Sequence, residues 1–176
     1  RIAVWRVATT FSGGDTFCSI LRSTRQRFVL VAACESNVFH RRAHEANHPG
    51  LEVFPYSVFD SDYLSGMPSH DLHMAGFPCV DYSGLKRRVT HQDLLASLDR
   101  FDRLIDALQL RTPWAAILEN VARLLHSTLA WVRGHVEKKI KNLAGGRYAI
   151  FCAPLCSVDF NGKARRPRTL YLLLLH

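Results

Sequence analysis

No apolar run in this chain approaches the roughly 20 residues that a membrane-spanning helix needs. The stretch Thr169 to Leu175 is far too short and reads as a buried strand. The first residues also lack the apolar core and small-residue cleavage site of a signal peptide. The chain opens at Arg1 rather than at Met, which fits a piece of a longer protein. No repeat, low-complexity tract or linker divides it, so its 176 residues are expected to build one domain around one core. Paired cysteines are lacking too. There are 5, an odd and scattered number. Cys152 and Cys156 have the wrong spacing for a zinc knuckle and no second pair to complete one. That pattern argues against a disulfide framework, and a reducing compartment fits better. Acidic residues are in short supply: 15 Asp and Glu face 23 Lys and Arg, a net charge of +8. That surplus favours a polyanionic partner, because cations that neutralise phosphates release condensed counterions. It is densest at Lys86-Arg87-Arg88 and from Lys163 to Arg168.

What is present is an ordinary globular composition, 48% hydrophobic and 22% charged. Strand-like and helix-like segments alternate, the pattern of an α/β sheet. Ile2 to Phe11 is a β-rich run ending at a small-residue turn, and Asp15 to Ser23 is the helix after it. Phe28 to Cys34 is a continuous apolar run, as a parallel strand covered on both faces requires. Asn37 to Asn47 reads as a helix, Leu51 to Phe54 and Asp71 to Ala75 as strands. Thr90 and Asp93 cap a helix that repeats Leu94, Leu98, Phe101, Ile105 and Leu108 and stops at Pro113. Ala115 to Glu119 is the next strand. A helix from His126 then buries Leu129, Val132, Val136 and Ile140 before Gly145-Gly146. Tyr148 to Cys152 and Thr169 to Leu175 complete a mostly parallel sheet of about seven strands.

The chemistry-bearing residues fall at strand ends. Phe11-Ser12-Gly13-Gly14-Asp15 forms the first strand-to-helix turn, where small residues let backbone N–H groups approach a ligand. Glu35 ends the second strand, the place of an acid that accepts hydrogen bonds from two ribose hydroxyls. After the fourth strand comes Gly76-Phe77-Pro78-Cys79-Val80-Asp81-Tyr82-Ser83. A rigid Pro there displays a Cys at the carboxyl edge of the sheet, and thiolate is an intrinsically strong nucleophile. Glu119-Asn120-Val121 ends the fifth strand beside the same crevice; helix capping is the alternative role for Glu119 or Asn120. His40, His44 and His48 recur at i, i+4 and i+8. With no carboxylate or Cys to complete a metal set, they read as a solvated helix face.

Together these segments resemble the cytosine-C5 DNA methyltransferase family. Pro78-Cys79 corresponds to its Pro-Cys dipeptide, Glu119-Asn120-Val121 to its Glu-Asn-Val, Phe11-Ser12-Gly13 to its Phe-x-Gly turn, and Glu35 to its ribose acid. The stretch Ala43 to Gly50 is similar to the family's second helix, and Arg166-Pro167-Arg168 to its late Arg-x-Arg. Order and spacing agree from Phe11 to Leu173, and several ordered motifs are far more specific than one. The pattern departs at Asp15, at Val80 and at Ala164, the last two standing where the family has Gln.

The resemblance implies a Rossmann-like, S-adenosylmethionine-dependent methyltransferase fold and one catalytic domain over residues 1–176, a partial family domain. It implies Cys79 as the nucleophile, Glu119 at the cytosine N3 edge and Arg166 at the O2 carbonyl, with Arg168 supporting either the Cys79 loop or the same carbonyl. Phe11, Gly13, Gly14, Glu35, Ser36, Asp60 and Pro78 would hold S-adenosylmethionine, with Asp60 at the adenine amino group and no metal required. Ser83, Lys86, Arg87 and Arg88 would form a loop closing over nucleic acid. The expected partner is DNA, with RNA as the alternative, and no membrane. The expected location is intracellular: the nucleus in a eukaryote, otherwise the cytoplasm. The family's target-recognition region and late Gly-Asn motif are not found after Leu173, so another segment or a partner chain is expected to supply them. The alternative functions are a catalytically impaired methyltransferase-like domain acting in regulation or nucleic-acid binding, and an RNA cytosine-5 methyltransferase of the same family.

Overall fold

The structure is a computed structural model that describes residues 4–13, 16–49, 53–54, 57–83, 86, 88–160 and 165–176. It contains the strands β1 (Trp5–Thr10), β2 (Phe28–Cys34), β3 (Val53–Phe54), β4 (Leu72–Gly76), β5 (Ala115–Val121), β6 (Tyr148–Cys156) and β7 (Pro167–Leu175). Its helices are α1 (Thr16–Ser23), α2 (Val38–Asn47), α3 (Ser61–Gly66), α4 (Val80–Ser83), α5 (His91–Arg111) and α6 (Ala130–Asn142). The strands form one 7-stranded sheet in the order β3-β2-β1-β4-β5-β7-β6. The first five are parallel, and β7 runs antiparallel between β5 and β6. The strand order reverses between β1 and β4, and ligands of open α/β sheets bind at such a switch point.

Side chains of a strand alternate between faces, which divides the core. On one face Leu72, Met74 and Ala115 pack with Val7, and Phe17 and Leu21 of α1 lie against them. On the other, Ala75, Ala116, Leu118, Tyr171 and Leu173 pack against Leu98, Phe101, Leu104 and Leu108 of α5 and Val132, Val136 and Ile140 of α6. The apolar residues of α5 recur at helical spacing and therefore share one stripe. Its N-terminus carries the expected capping box, with Thr90 Oγ1 accepting from Asp93 N and Asp93 accepting from Thr90 N. Its C-terminus ends at Thr112, in the left-handed region at φ 40°. The following Pro113 disfavours a further helical residue there.

Several boundaries, and one helix, differ from the sequence expectation. The helix expected from His126 begins with two short 3₁₀ turns, Ala122–Leu125 and Ser127–Leu129, before α6 starts at Ala130. β6 runs on to Cys156 because β7, its partner throughout, starts early at Pro167. Phe11 is not part of β1: its φ of 54° breaks the extended backbone. Helix α3 was not foreseen; it is short and largely polar, with Tyr63 its one buried residue, so it has no apolar period to read. The expected solvated face of α2 also needs correction. His44 is fully buried while His40 is exposed, because α2 turns its His44 side inward against Cys18 of α1. Among the described residues, no helix is long and apolar enough to cross a membrane.

Candidate active site

The carboxyl ends of β1, β4 and β5 and the start of β7 surround a cavity of about 460 Å³. Its lining includes Phe11, Gly13, Gly76, Glu119, Arg166 and Arg168. That volume is typical of small-ligand and cofactor sites. Strand register brings the charged residues together. Glu119 lies opposite Gly76 of β4 on one side and Leu170 of β7 on the other, and Arg168 lies opposite the neighbouring Val121. Glu119 and Arg168 consequently meet, with Arg168 Nε 2.5 Å from Glu119 Oε1. Gly76 has a packing reason: a Cβ there would stand 3.2 Å from Glu119 Oε2, tighter than most real contacts.

Cys79 follows β4 and caps the short α4, its carbonyl accepting from Tyr82 N at 2.9 Å and Ser83 N at 2.8 Å. It is half-buried, not lost in the core, and it feels Glu119, Arg168 and Arg166 electrostatically. Burial pushes its thiol above the ordinary range, the Glu119 carboxylate pushes the same way, and the two guanidiniums pull against them. Burial likewise raises the Glu119 carboxyl and outweighs the opposing pull of Arg168 and Arg166. An acid held above its usual range beside a thiol is suited to keep or share a proton.

The Cys79 segment is fixed from two sides. Asn120, completely buried, donates from Nδ2 to the Phe77 carbonyl at 3.1 Å and accepts from Val121 N at 2.8 Å. The ring of Phe77 packs on Phe101 with centroids 4.9 Å apart. On the other side Tyr82 is buried, and Asp81 accepts from Ser97 of α5 at 2.6 Å. Asn120 thus holds the cysteine loop instead of capping a helix. The sequence offered that residue without this partner, because the two are 43 positions apart.

The first turn has a cofactor-site character of its own. Phe11 and Gly13 both adopt left-handed backbone, φ 54° and 55°. That conformation is easy for glycine and uncommon for a bulky residue, and such outliers gather at ligand sites. The space beside Gly13 is open. Glu35 reaches across from β2: one oxygen accepts from Gly13 N at 2.9 Å, the other from Asn37 N at 2.8 Å. A carboxylate has about four acceptor positions, so two remain for hydroxyl donors. The arrangement fits a nucleoside-bearing ligand such as S-adenosylmethionine.

The other expected residues are more dispersed. Ser36 is exposed, and its carbonyl accepts from Arg41 Nη1 at 2.7 Å. Asp60 is exposed at the start of α3 and accepts from Ser57 N at 2.8 Å. Pro78 is half-buried beside Cys79. Ser83 donates to the Val80 carbonyl at 2.9 Å. Lys86 lies between two carboxylates, 3.2 Å from Asp81 and 2.7 Å from Asp93, and Arg88 is exposed. Gly14, Arg87 and Ala164 fall outside the described residues. Sequence reasoning missed Phe17, Ile20, Leu155, Cys156, Ser157 and Leu170, which complete the cavity lining. The apolar ones had no local signal separating a lining residue from a core residue.

Comparisons with known proteins bear on the family and the fold. Residues 6–176 match the family model of the C-5 cytosine-specific DNA methylase. The chain is 28% identical over 138 residues to the Type II methyltransferase M.NgoBI of Neisseria gonorrhoeae, a match covering 78% of this chain and 41% of that protein. The chain therefore spans well under two thirds of that relative. Among solved structures, the Dnmt2 methyltransferase of S. pombe superposes with a TM-score of 0.76 at 18% identity, over 98% of this chain and 50% of that one. The methyltransferase EhMeth of Entamoeba histolytica gives 0.74 at 14% identity, over 99% and 54%. These two likenesses establish the fold: the expected Rossmann-like methyltransferase architecture. With a family model matched across nearly its whole length, the chain belongs to the C-5 cytosine-specific DNA methylase family.

Proposed function

We propose that this chain carries the catalytic centre for methylation of cytosine at carbon 5 in DNA, with Cys79 as covalent nucleophile. The convergence of Cys79, Glu119, Arg166 and Arg168 from three separate stretches carries this reading. S-adenosylmethionine, when bound, supplies an electrophilic methyl group. Phe11, Gly13 and Glu35 would hold it, with Ser36, Asp60 and Pro78 at the margins of its site.

Carbon 5 of cytosine is a weak nucleophile. Cys79 Sγ, having lost its proton, bonds to carbon 6 and drives the ring electron pair towards carbon 5. Glu119 delivers a proton to N3, so that negative charge does not accumulate on the ring. Its raised pKa supports that role, since the proton must be present before the thiolate attacks. Arg166 and Arg168 offer guanidinium donors for the O2 carbonyl and the charge developing there. After methylation, carbon 5 loses its proton to a base, the sulfur–carbon 6 bond breaks by elimination, and N3 returns its proton to Glu119. The base must leave the helical stack to reach this crevice. Lys86, now paired with Asp81 and Asp93, and the exposed Arg88 would exchange carboxylate partners or water for backbone phosphates.

The test is trapping on an oligonucleotide containing 5-fluorocytosine, whose fluorine cannot leave as a proton does. With S-adenosylmethionine present, a covalent adduct resistant to denaturant is expected, and Cys79→Ala abolishes it. An adduct that survives in Cys79→Ala, or no adduct with the native chain on either DNA or RNA, overturns the proposal. An adduct on RNA alone would reassign the substrate and keep the chemistry.

A further inference from the structure

Away from the catalytic cavity, Cys18 of α1 and His44 and His48 of α2 bring one Sγ and two imidazole nitrogens within 4.8 Å of one another. Cys18 and His44 are fully buried, and His48 is half-buried. The pair of histidines shares a helix face because residues four apart lie one turn above another. Their rings stack with centroids 5.0 Å apart. His48 stands at the end of α2, its N–H still bonded to the carbonyls of His44 and Glu45. The histidine spaced one turn earlier does not take part: His40 points towards Glu35, 3.8 Å from its carboxylate. The set is therefore not the three-histidine face that the spacing suggested. It exchanges His40 for a cysteine 26 positions from His44.

We infer that Cys18, His44 and His48 form a binding site for a zinc ion, pinning α1 to α2. One thiolate and two imidazoles match a borderline-soft divalent cation better than calcium or magnesium, which take oxygen ligands. Zinc–sulfur and zinc–nitrogen bonds of about 2.3 and 2.0 Å put tetrahedral donors roughly 3.5 Å apart. Side-chain rotations of about an ångström would close the present arrangement to that size. Three protein ligands leave the fourth position to water. On binding, the Cys18 thiol releases its proton to solvent and the imidazoles ligate as neutral bases. Arg22 opposes the cation: its Nη2 lies 2.9 Å from both ring nitrogens of His48. Being exposed, the guanidinium can swing away, so it acts as a competitor for the site. The helices so joined are those that follow the Gly13 turn and the Glu35 strand end, so the ion would stiffen one wall of the nucleoside pocket without touching it.

Cobalt titration of the whole chain, stripped of metal with a chelator, tests this. One equivalent of Co²⁺ should produce tetrahedral absorption with a thiolate-to-cobalt charge-transfer band, which Zn²⁺ then bleaches. Cys18→Ser should lose the band, and the exposed-thiol control Cys152→Ser should keep it. His48→Gln, at the surface end of α2, should weaken Zn²⁺ by more than about 100-fold, since removing even an outer-shell partner costs about 10–100-fold. Arg22→Ala should tighten binding. Zn²⁺ should also raise the melting temperature of the native chain and not that of His48→Gln. The inference is overturned if the native chain gives no one-equivalent band, if Cys18→Ser keeps it, or if His48→Gln binds Zn²⁺ as tightly as the native chain. The last measurement decides even if Cys18→Ser fails to fold.

Discussion

Two clusters of polar groups lie along the same sheet, and they are built on opposite terms. Around the carboxyl ends of β4 and β5, Cys79, Glu119 and Arg168 are half-buried and charged or chargeable; Glu119 and Arg168 line the cavity, and Cys79 stands near enough to feel both. Deeper in β1 and β4, His73 is completely buried, with Nε2 3.1 Å from Thr10 Oγ1 and Nδ1 2.9 Å from His70 Nε2. The Thr10 hydroxyl meets the Tyr63 hydroxyl at 3.0 Å, and His70 reaches the Pro68 carbonyl at 2.8 Å. Burial raises Cys79 and Glu119, and it holds both histidines below their ordinary range. The same physical cause thus favours the neutral form of the acid and the thiol in one cluster and of the imidazoles in the other. The difference lies in what remains unsatisfied. The histidine chain pairs its groups internally, as buried polar groups must be. In the cysteine cluster, Glu119, Arg166 and Arg168 keep hydrogen-bonding and charge capacity at the wall of an open cavity.

The comparison breaks most visibly at Glu119. Replacing it with Gln removes the proton donor but leaves the shape, and the methylation rate should fall by about 10²–10⁴. Stability should shift by no more than about 1 kcal/mol, because the ion pair with Arg168 is partly exposed. Steady-state kinetics beside thermal melting separates the two, and equal losses in both would make Glu119 a structural residue.

His73→Ala reverses that profile. It should cost roughly 2–4 kcal/mol in denaturant unfolding, through a cavity and two partners left unpaired in the core. The native chain should also lose stability on acidification. With the folded pKa depressed, the unfolded state takes up protons first, so the loss begins below about pH 6.5 and grows as pH falls towards the folded value. A flat stability profile across that window would show that His73 is not held neutral.

Asn120→Ala joins the two behaviours, since Asn120 is buried like one cluster and serves the other. About 1–3 kcal/mol of stability should go with its hydrogen bonds, and the rate should fall without a matching change in cofactor binding. A smaller effect concerns Cys79 alone. Its alkylation should rise with pH through a midpoint above that of an ordinary thiol. Arg168→Gln should move the midpoint up and Glu119→Gln should move it down. Shifts in the reverse sense would mean that these groups do not face the sulfur.

Much of this was legible in the linear chain because its signals are local. The Phe28–Cys34 run, the Thr90 capping box and the α5 period each depend on residues within a few turns of one another. Pro78-Cys79 and Glu119-Asn120 announced their strand ends for the same reason. α3 escaped notice for want of an apolar period, and His44 was misread because a three-histidine spacing does not reveal which side of a helix meets a neighbour.

The sequence by itself determined most of the succession of strands and helices, the basic charge surplus and which side chains are candidates for catalysis. Only the tertiary structure decided that β7 folds back antiparallel beside β5, which sets Arg168 on Glu119, and that Asn120 holds the Phe77 carbonyl. It alone brought Cys18 to His44 and His48. These meetings join residues tens of positions apart. Local periodicity is silent on such pairs; their approach is settled by which apolar faces can be buried together.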